Sequence, residues 1–353
     1  MQFAILAFAI GLAMVAGFSA HRASICTVRA IAEIMTTRRA YMLASIGKSV
    51  LWVWAIAFPF FWLAPQAGTN VSGWQLTPAA VAGGFIFGLG AALNGGCSYS
   101  TMARCMDGDG RMLAAILGFA AGVFGFATLV ESNWLARPMP AAAVIGIFVP
   151  WAALLAVVFV SWAFYEGFRL WQTRDPHVGF ADLILAPSYR LSTAALLGGL
   201  AGSLLFLIYG PFGYTATFEL VIEGAIGTRS GPSQIRWVIL VAVLVGMLIS
   251  TLQRGSFRID WRPRRAWIRN AAGGVLMGFG VALAPGGNDA LVLYGIPTLS
   301  PYAIPVYGAL IIGIVSGLSA MRYWFGIEMR VACRNDVYVS DNWTRPLPPG
   351  GRP

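Results

Sequence analysis

Long stretches of apolar residues restrict what this chain can fold into. Only 11% of its 353 residues are charged and 58% are hydrophobic, whereas soluble globular domains carry about 25% charged residues. A helix needs roughly 20 predominantly apolar residues to cross a bilayer. Nine stretches approach or meet that length, at residues 2–20, 41–64, 79–95, 112–130, 140–166, 191–210, 235–252, 268–284 and 302–322. The sequence therefore predicts an all-α polytopic membrane protein with about nine transmembrane helices.

Four shorter, half-apolar stretches lie between these spans. They occupy residues 24–36, 97–106, 214–226 and 288–296. Each is too short to cross a bilayer. Irregular backbone at membrane depth is tolerated only where protein or a polar cavity satisfies its hydrogen bonds. We therefore expect re-entrant half-helices in these four regions.

The positive charges are distributed unequally between the predicted loops. Twenty arginines fall after spans 1, 3, 5 and 7 or in the C-terminal region, and only Arg137, Arg229 and Arg236 fall on the opposite side. Positively charged loops remain in the cytoplasm. We therefore expect the N-terminus outside and the C-terminus in the cytoplasm. This bias accounts for the net charge of +10, so contact with membrane lipid is expected and a nucleic-acid partner is not.

One small-residue pattern occurs twice, 190 residues apart. Residues 82–93 begin Ala-Gly-Gly, contain two further glycines and end Ala-Leu, and residues 272–283 repeat these types at the same positions. An internally duplicated apolar chain is typical of transporters built from two structural repeats, with the substrate site at their interface. Span 1 begins outside and span 6 begins in the cytoplasm. The two halves are therefore expected to be inverted relative to each other.

The predicted organisation has four parts. Residues 1–135 form the first repeat with spans 1–4, and residues 136–190 hold the connecting span 5 and a cytoplasmic loop. Residues 191–325 form the second, inverted repeat with spans 6–9. Residues 326–353 form a cytoplasmic tail that ends in a Pro- and Gly-rich segment and is expected to be disordered.

The first copy of the pattern runs into Gly95-Gly96-Cys97. Two glycines can adopt positive φ and interrupt the helix, so the next half-helix is expected to begin near Cys97. Its free N–H groups and positive dipole end favour an anion and lower the pKa of a thiol. The alternative is that the glycines only pack helices and that Cys97 is a small buried apolar residue. The cysteine spacings do not match a zinc site, so neither a metal nor a cofactor is expected.

Three motifs in a fixed order extend over most of residues 5–320. Residues 88–97 are Gly-x-Gly-Ala-Ala-Leu-x-Gly-Gly-Cys, residues 17–27 run from Gly-Phe through Arg22 to Cys-Thr, and residues 210–213 are Gly-Pro-Phe-Gly. In these motifs the chain resembles the YeeE/YedE family of bacterial sulphur-compound permeases. The resemblance implies thiosulfate uptake by an hourglass-shaped, inverted-repeat protein.

The resemblance also implies where the anion passes. In that family, cysteines along a central path contact the sulphur-bearing anion, and Cys26 and Cys97 match two of them. A thiol is a weak hydrogen-bond donor, and a permeating anion needs weak, successive sites that it can leave again. The family often works with a small cytoplasmic sulphur-carrier protein, which is the protein partner implied here. Gly95 and Gly96 belong to the same predicted path.

The second copy of the pattern departs from the family. The family's second-half motif commonly ends Gly-Gly-Cys, whereas this chain has Gly287-Asn288-Asp289. An amide at Asn288 can donate a hydrogen bond to an anion, so Gly287 and Asn288 are counted as path residues. Asp289 would repel an anion unless it is paired or lies outside the path. The substrate therefore has alternatives, which are sulfite, a selenium compound or another inorganic anion.

Three further residues are weaker candidates for the path. Cys105 follows Cys97 by about 2.2 helical turns and either extends the thiol path or is a structural thiol at the cytoplasmic rim. Lys48 either attracts anions within the protein or extends to the cytoplasmic interface. Glu219 shares a helix face with Glu223 and either pairs with an arginine that follows or couples transport to protons.

A different class of function is a membrane-embedded sulphurtransferase in which Cys97 forms a persulfide. The chain shows neither a soluble domain nor a base beside either path cysteine, and an activated nucleophile needs such a base. We therefore predict a transporter rather than an enzyme.

Overall fold

The computed structural model describes residues 2–69, 71–174, 177, 179–261 and 264–344. Its helices are α1 (Gln2–Ala23), α2 (Thr27–Thr37), α3 (Tyr41–Leu63), α4 (Pro65–Thr69), α5 (Pro78–Asn94), α6 (Ser98–Met106), α7 (Arg111–Glu131), α8 (Ala152–Gln172), α9 (Phe180–Leu185), α10 (Leu191–Tyr209), α11 (Tyr214–Ala225), α12 (Gln234–Arg254), α13 (Arg264–Leu283), α14 (Gly287–Ala290) and α15 (Ala303–Trp324). A 3₁₀ segment, Val144–Trp151, precedes α8, and a π turn, Leu291–Gly295, follows α14.

Four short strands complete the secondary structure. They are β1 (Ser72–Trp74), β2 (Pro140–Ala142), β3 (Glu328–Arg334) and β4 (Val337–Thr344). β1 pairs antiparallel with β2, and β3 pairs antiparallel with β4.

Within the described ranges, nine helical segments are long and apolar enough to cross a membrane. Each of them overlaps one predicted span, which confirms the prediction of an all-α polytopic membrane protein. The fifth segment is shifted from its predicted bounds, since it runs from Val144 to Gln172 and opens with the 3₁₀ turns around Pro150. A proline lacks the N–H group that a regular α-helix needs there.

Each of the four predicted half-helix regions holds a short helix. α2, α6 and α11 fall in the first three, and α14 with its π turn falls in the fourth. Gly95 ends α5 at φ +76°, and Gly286 precedes α14 at φ +112°. These left-handed conformations favour glycine and interrupt the two long helices at equivalent places. That the short helices lie inside the membrane stays a prediction.

The long helices of the two repeats pack in exchanged pairs. α1 packs on α12 and α10 on α3, while α7 packs on α13 and α15 on α5. Because α10, α12, α13 and α15 are the second-repeat counterparts of α1, α3, α5 and α7, every pairing occurs twice with the repeats exchanged. This exchange of partners is what an approximate two-fold axis between the two predicted repeats requires. The inverted orientation of the halves in a bilayer stays a prediction.

The duplicated glycines bring α5 and α13 into backbone contact. A Cβ atom added to Gly83 would lie 2.8 Å from the carbonyl oxygen of Gly280, and one added to Gly280 would lie 2.7 Å from that of Gly83. Gly90 and Gly273 face each other in the same way, at 2.6 and 2.7 Å. Because the pattern repeats after 190 residues, Gly273 is the counterpart of Gly83 and Gly280 is the counterpart of Gly90. Gly83 therefore faces the counterpart of Gly90, and Gly90 faces the counterpart of Gly83. We call this contact the α5–α13 seam.

The prediction of a disordered C-terminal tail is wrong as far as Thr344. β3 and β4 form a hairpin, Glu328–Thr344, whose turn has positive φ at Asn335 and Asp336. Asn and Asp tolerate this conformation, which the tightest hairpin turns require. Met329, Val331 and Cys333 alternate on the buried face of β3. We call this element the C-terminal hairpin; the Pro- and Gly-rich residues 345–353 lie outside the described residues.

Candidate functional site

The short helices α2, α6, α11 and α14 begin close to one another. Cys26 is the residue before α2, Cys97 the residue before α6, and both have extended backbones. The hydroxyl groups of Ser98 on α6 and Thr215 on α11 lie 2.6 Å apart. The first N–H groups of a helix lack intrahelical partners and carry a partial positive charge. Their convergence from both repeats makes the region favourable for an anion.

Two free thiols meet where α2 and α6 begin. The Sγ atoms of Cys26 and Cys97 lie 3.8 Å apart, and the backbone N–H of Cys97 points at Sγ of Cys26 over 3.5 Å. Each residue is only 1% exposed. The separation is well beyond the roughly 2.05 Å of a disulfide bond. We call Cys26 and Cys97 the thiol pair.

Asn288 lies against the thiol pair from the second repeat. Its side-chain N–H points at Sγ of Cys97 over 3.9 Å, and its carbonyl oxygen accepts a 2.7 Å hydrogen bond from the hydroxyl of Thr27. The Thr27 hydroxyl also lies 3.4 Å from that of Tyr307. An amide both donates and accepts, so Asn288 links the starts of α2 and α6 to that of α14. The position where the family commonly has a cysteine thus faces the sulphur atom of Cys97.

The carboxylate of Asp289 is paired within the protein. It accepts hydrogen bonds from the backbone N–H groups of Tyr214, at 2.6 Å, and Thr215, at 3.1 Å, and from the Thr215 hydroxyl. A carboxylate at a helix N-terminus is stabilised by these donors and by the helix dipole. The sequence left open whether Asp289 is paired, and the structure shows that the start of α11 holds it.

Glycines and one asparagine shape the helix breaks beside the thiol pair. The side-chain amide of Asn94 donates to the carbonyl of Gly96 at 3.0 Å, which fixes the loop that carries Cys97. Gly287 has φ +67°, and a Cβ atom there would lie 2.7 Å from the side chain of Thr215. A cavity of about 90 Å³ adjoins the break and touches both Cys97 and Asn288. Small residues at these positions therefore leave space at the thiol pair.

The three arginines of the predicted outer loops line one cavity of about 470 Å³, which we call the outer vestibule. Arg137 and Arg229 form ion pairs with Glu223, at 2.5 and 3.2 Å. Arg236 donates to a backbone carbonyl instead. Glu219 lines the same cavity and takes no part in these two ion pairs. The sequence offered a following arginine as one alternative for Glu219, whereas in the structure Arg229 forms its ion pair with Glu223. That all three outer arginines line one cavity was not predicted.

A smaller cavity of about 40 Å³ lies on the other side of the thiol pair and is lined by Arg29, Arg104 and Ser24 among others. Arg104 forms a 2.8 Å ion pair with Asp109. We call this cavity the inner pocket. Arginine side chains thus line a cavity on each side of the central thiols.

Comparison with known proteins agrees with this geometry. The profile of a family described as "Sulphur transport" matches residues 22–316. The chain belongs to this sulphur-transport family. The match covers most of the chain and confirms the resemblance to YeeE/YedE permeases, so the protein is a multi-pass membrane transporter and not an enzyme.

A characterised relative supports the same assignment for this sulphur-transport protein. The thiosulfate transporter TsuA of Spirochaeta thermophila is 24% identical over 314 residues, which cover 80% of this chain and 89% of that protein. The similarity extends across both repeats.

Two of the residues that were weaker candidates for the substrate path, Lys48 and Cys105, lie apart from the thiol pair. Lys48 forms a 2.9 Å ion pair with Glu166 and donates to Ser192 at 2.7 Å, so its charge ties α3 to α8 and α10. It therefore has a structural partner rather than a free charge for an anion. Cys105 is half-buried near the end of α6, eight residues beyond Cys97 and about 12 Å along the helix.

The geometry also bears on metal binding. Within the residues that the structure describes, no three His, Cys, Asp or Glu side chains stand together as a metal site requires. The polar groups around the thiol pair are instead N–H, hydroxyl and thiol donors, which suit an anion.

Proposed function

We propose that this chain carries thiosulfate inward across the bacterial cytoplasmic membrane, with Cys26 and Cys97 as weak, successive sites. The observation that carries the proposal is the contact between the two thiols at the start of α2 and α6, with Asn288 as the third group. The family assignment and the relative that transports thiosulfate support it. A small cytoplasmic sulphur-carrier protein as recipient belongs to the same proposal, on the family resemblance alone.

The proposed route has three stages. The three arginines of the outer vestibule outnumber Glu219 and Glu223, so an excess of positive charge attracts the anion and reduces the cost of removing it from water. The vestibule is also lined by Gly286, directly before α14, so the anion next reaches Asn288 and Cys97. It then passes Cys26 and enters the inner pocket beside Arg29. Each stage offers hydrogen-bond donors from one repeat or the other, and no stage surrounds the ion with positive charge on every side.

Thiols suit the central stage for a physical reason. The donor at Asn288 and the backbone N–H of Cys97 lie 3.9 and 3.5 Å from sulphur atoms, so these contacts are weak. A passing anion displaces weak contacts at little cost. The terminal sulphur of thiosulfate is large and polarizable, and its oxygens accept hydrogen bonds from helix N-termini. Weak binding is what a permeation site needs, because a tightly bound ion does not leave.

Uptake of radiolabelled thiosulfate tests the proposal, in cells without other sulphur-anion transporters. We expect Cys97→Ala to lower the initial rate by about tenfold or more, the factor for about 1.4 kcal/mol of lost stabilisation of the passing ion. Cys105→Ala removes a thiol of the same helix outside the pair and is the matched control, with a rate near wild type. Undiminished uptake by Cys97→Ala, at equal amounts in the membrane, contradicts the proposed role of this thiol.

A panel of substrates in the same cells tests the identity of the anion. Thiosulfate is expected to be taken up faster than sulfite, selenite or sulfate. If sulfite or a selenium oxyanion is preferred, anion transport stands and the thiosulfate assignment fails. Mass spectrometry of the protein after exposure to thiosulfate is expected to show no persulfide on Cys97, and a stoichiometric adduct would contradict simple permeation.

A further inference from the structure

The C-terminal hairpin packs against the two elements that carry the thiol pair. β3 packs along α2, the helix that starts at Cys26. The ring of Trp343 on β4 lies 3.1 Å from where a Cβ of Gly95 would be, two residues before Cys97. Arg269 of α13 stacks over the same ring at 4.7 Å. The end of β4 therefore lies across elements of both repeats, and its Asp341 forms an ion pair with Arg29, which lines the inner pocket.

A buried arginine of α2 is held by this hairpin. Arg29 lies one turn beyond Cys26 and is 8% exposed. Its Nε donates to a carboxylate oxygen of Asp341 at 2.8 Å, and its Nη1 donates to the carbonyl of Ser24 at 3.1 Å. The ring of Tyr338 lies 5.1 Å from the guanidinium carbon. A buried charge requires such a partner, and here the only carboxylate among these contacts comes from the hairpin.

Asp341 is an anionic partner. Burial acts to raise the pKa of Asp341, but the nearby guanidinium of Arg29 and hydrogen bonds from Tyr338 and Arg29 hold it below its ordinary value. The side chain is therefore ionised at neutral pH and stays 28% exposed. A carboxylate and a sulphur oxyanion both carry negatively charged oxygens. A guanidinium therefore binds either of them through charge-assisted hydrogen bonds.

A second carboxylate of the hairpin, Asp336 at its turn, makes different contacts. Asp336 accepts a hydrogen bond from the backbone N–H of Ser192 at 3.2 Å, and its backbone carbonyl accepts one from Leu191 at 2.7 Å. These bonds attach the turn to the start of α10. The hairpin is thus anchored at its turn, while the far end of β4 holds Arg29 and covers Gly95.

We infer that Arg29 is an inner binding site for the transported oxyanion and that Asp341 occupies this site while it is empty of substrate. The inference rests on the proposed function for the identity of the anion. The incoming anion takes the place of the carboxylate on Arg29, and the end of β4 moves away from the inner pocket. When the anion leaves, the tethered carboxylate returns and closes the pocket.

The accessibility of the thiols tests whether the end of β4 closes the inner pocket, and this test needs no transport. Inside-out membrane vesicles are treated with a small anionic methanethiosulfonate, and peptide mass spectrometry reads each cysteine separately. Asp341→Asn is expected to speed modification of Cys26 by about tenfold, the factor for loss of one charge-assisted hydrogen bond. Asp336→Asn makes the same chemical change at the anchored turn and should modify at the wild-type rate. Equal rates for Asp341→Asn and wild type overturn the inference.

Thiosulfate uptake into proteoliposomes tests Arg29 as a binding site. Asp341→Asn should raise the initial rate severalfold, since the tethered competitor is gone, and Arg29→Gln should lower it. The double variant Arg29→Asp with Asp341→Arg restores the ion pair, so its thiols stay protected, but α2 no longer offers a cation and uptake is lost. Wild-type uptake by this double variant would make Arg29 merely structural and overturn the inference. If the wild-type protein itself takes up no thiosulfate, the proposed function fails, and the modification rates still decide whether Asp341 holds the cover.

Discussion

Asn288 differs from a cysteine in having both a donor and an acceptor of ordinary hydrogen-bond strength. The acceptor is already engaged by Thr27, and the donor faces Cys97 over 3.9 Å. The amide is uncharged, so it offers its N–H to an anion without repelling it. The next residue is a carboxylate, but the start of α11 holds that carboxylate. One neutral donor therefore stands where the family usually places a third thiol.

Replacing this amide with a carboxylate is a sharp test at the residue scale. Asn288→Asp keeps the shape and the acceptor for Thr27 but adds a negative charge beside the thiol pair. Thiosulfate uptake is expected to fall by more than about tenfold, because like charges in a low-dielectric site repel strongly. The measurement is initial uptake at equal protein amounts. Asn133→Asp makes the same change at an exposed position and should have no effect; a fully active Asn288→Asp protein would remove Asn288 from the path.

A second substitution at this position tests how Asn288 affects the selectivity between thiosulfate and sulfite. Asn288→Cys restores the residue that the family commonly has at this position. We expect the uptake of thiosulfate relative to sulfite to rise severalfold, because a thiol favours a polarizable sulphur over an oxygen. Competition between the two anions for uptake measures the ratio. An unchanged ratio would show that Asn288 does not stand in for the missing cysteine.

At the scale of elements, the α5–α13 seam and the C-terminal hairpin show what pattern reasoning reached and what it missed. Glycines four residues apart favour close helix contacts, and Gly84 and Gly88 lie against the backbone of α15. The seam itself is made by their neighbours Gly83 and Gly90, because the partner of each helix depends on how both repeats come together. The Pro- and Gly-rich end favours disorder, whereas the period-2 alternation of Met329, Val331 and Cys333 just before it is typical of a strand.

The seam leads to a stability prediction. A Cβ at position 280 would lie 2.6 Å from the backbone nitrogen of Phe87, so α13 must move away from α5. We expect Gly280→Ala to destabilise the fold by about 1–3 kcal/mol, the usual cost of overpacking. Thermal unfolding of the purified protein in detergent measures this effect. Gly308→Ala on α15 is the control, since no atom lies within 4 Å of its added Cβ, and equal unfolding temperatures for the two variants would contradict the tight contact.

At the scale of the whole molecule, the sequence predicted the long helices well because membrane spans have a strong hydropathy signal. It also predicted the four short helices and placed the start of one of them near Cys97, whereas the position of Cys26 directly before α2 comes from the structure. The contact between the two thiols was beyond it, since that distance depends on how α2 and α6 are positioned by four long helices. The outer vestibule was missed for the same reason: Arg137 is far in sequence from Arg229 and Arg236, and the three line one cavity only in the assembled fold.

The orientation of the molecule is open to a direct test. The arginine bias predicts that the C-terminal region, and with it the hairpin, faces the cytoplasm. A green fluorescent protein fused after residue 353 should therefore fluoresce in intact bacteria, and alkaline phosphatase fused before residue 1 behind an export signal should be active. A dark C-terminal fusion together with an active C-terminal phosphatase would reverse the orientation, and the vestibule would then face inward.

The backbone contact at the seam limits how such a protein can move. Where two helices touch through glycines, neither a rocking of one half against the other nor a vertical slide of one half leaves the contact intact. We expect the halves to stay together as a fixed frame, while short pieces at the helix breaks and the end of β4 shift by small distances. A carrier of this kind resembles a gated pore more than a rocking bundle, and its turnover should depend little on the thickness of the surrounding bilayer.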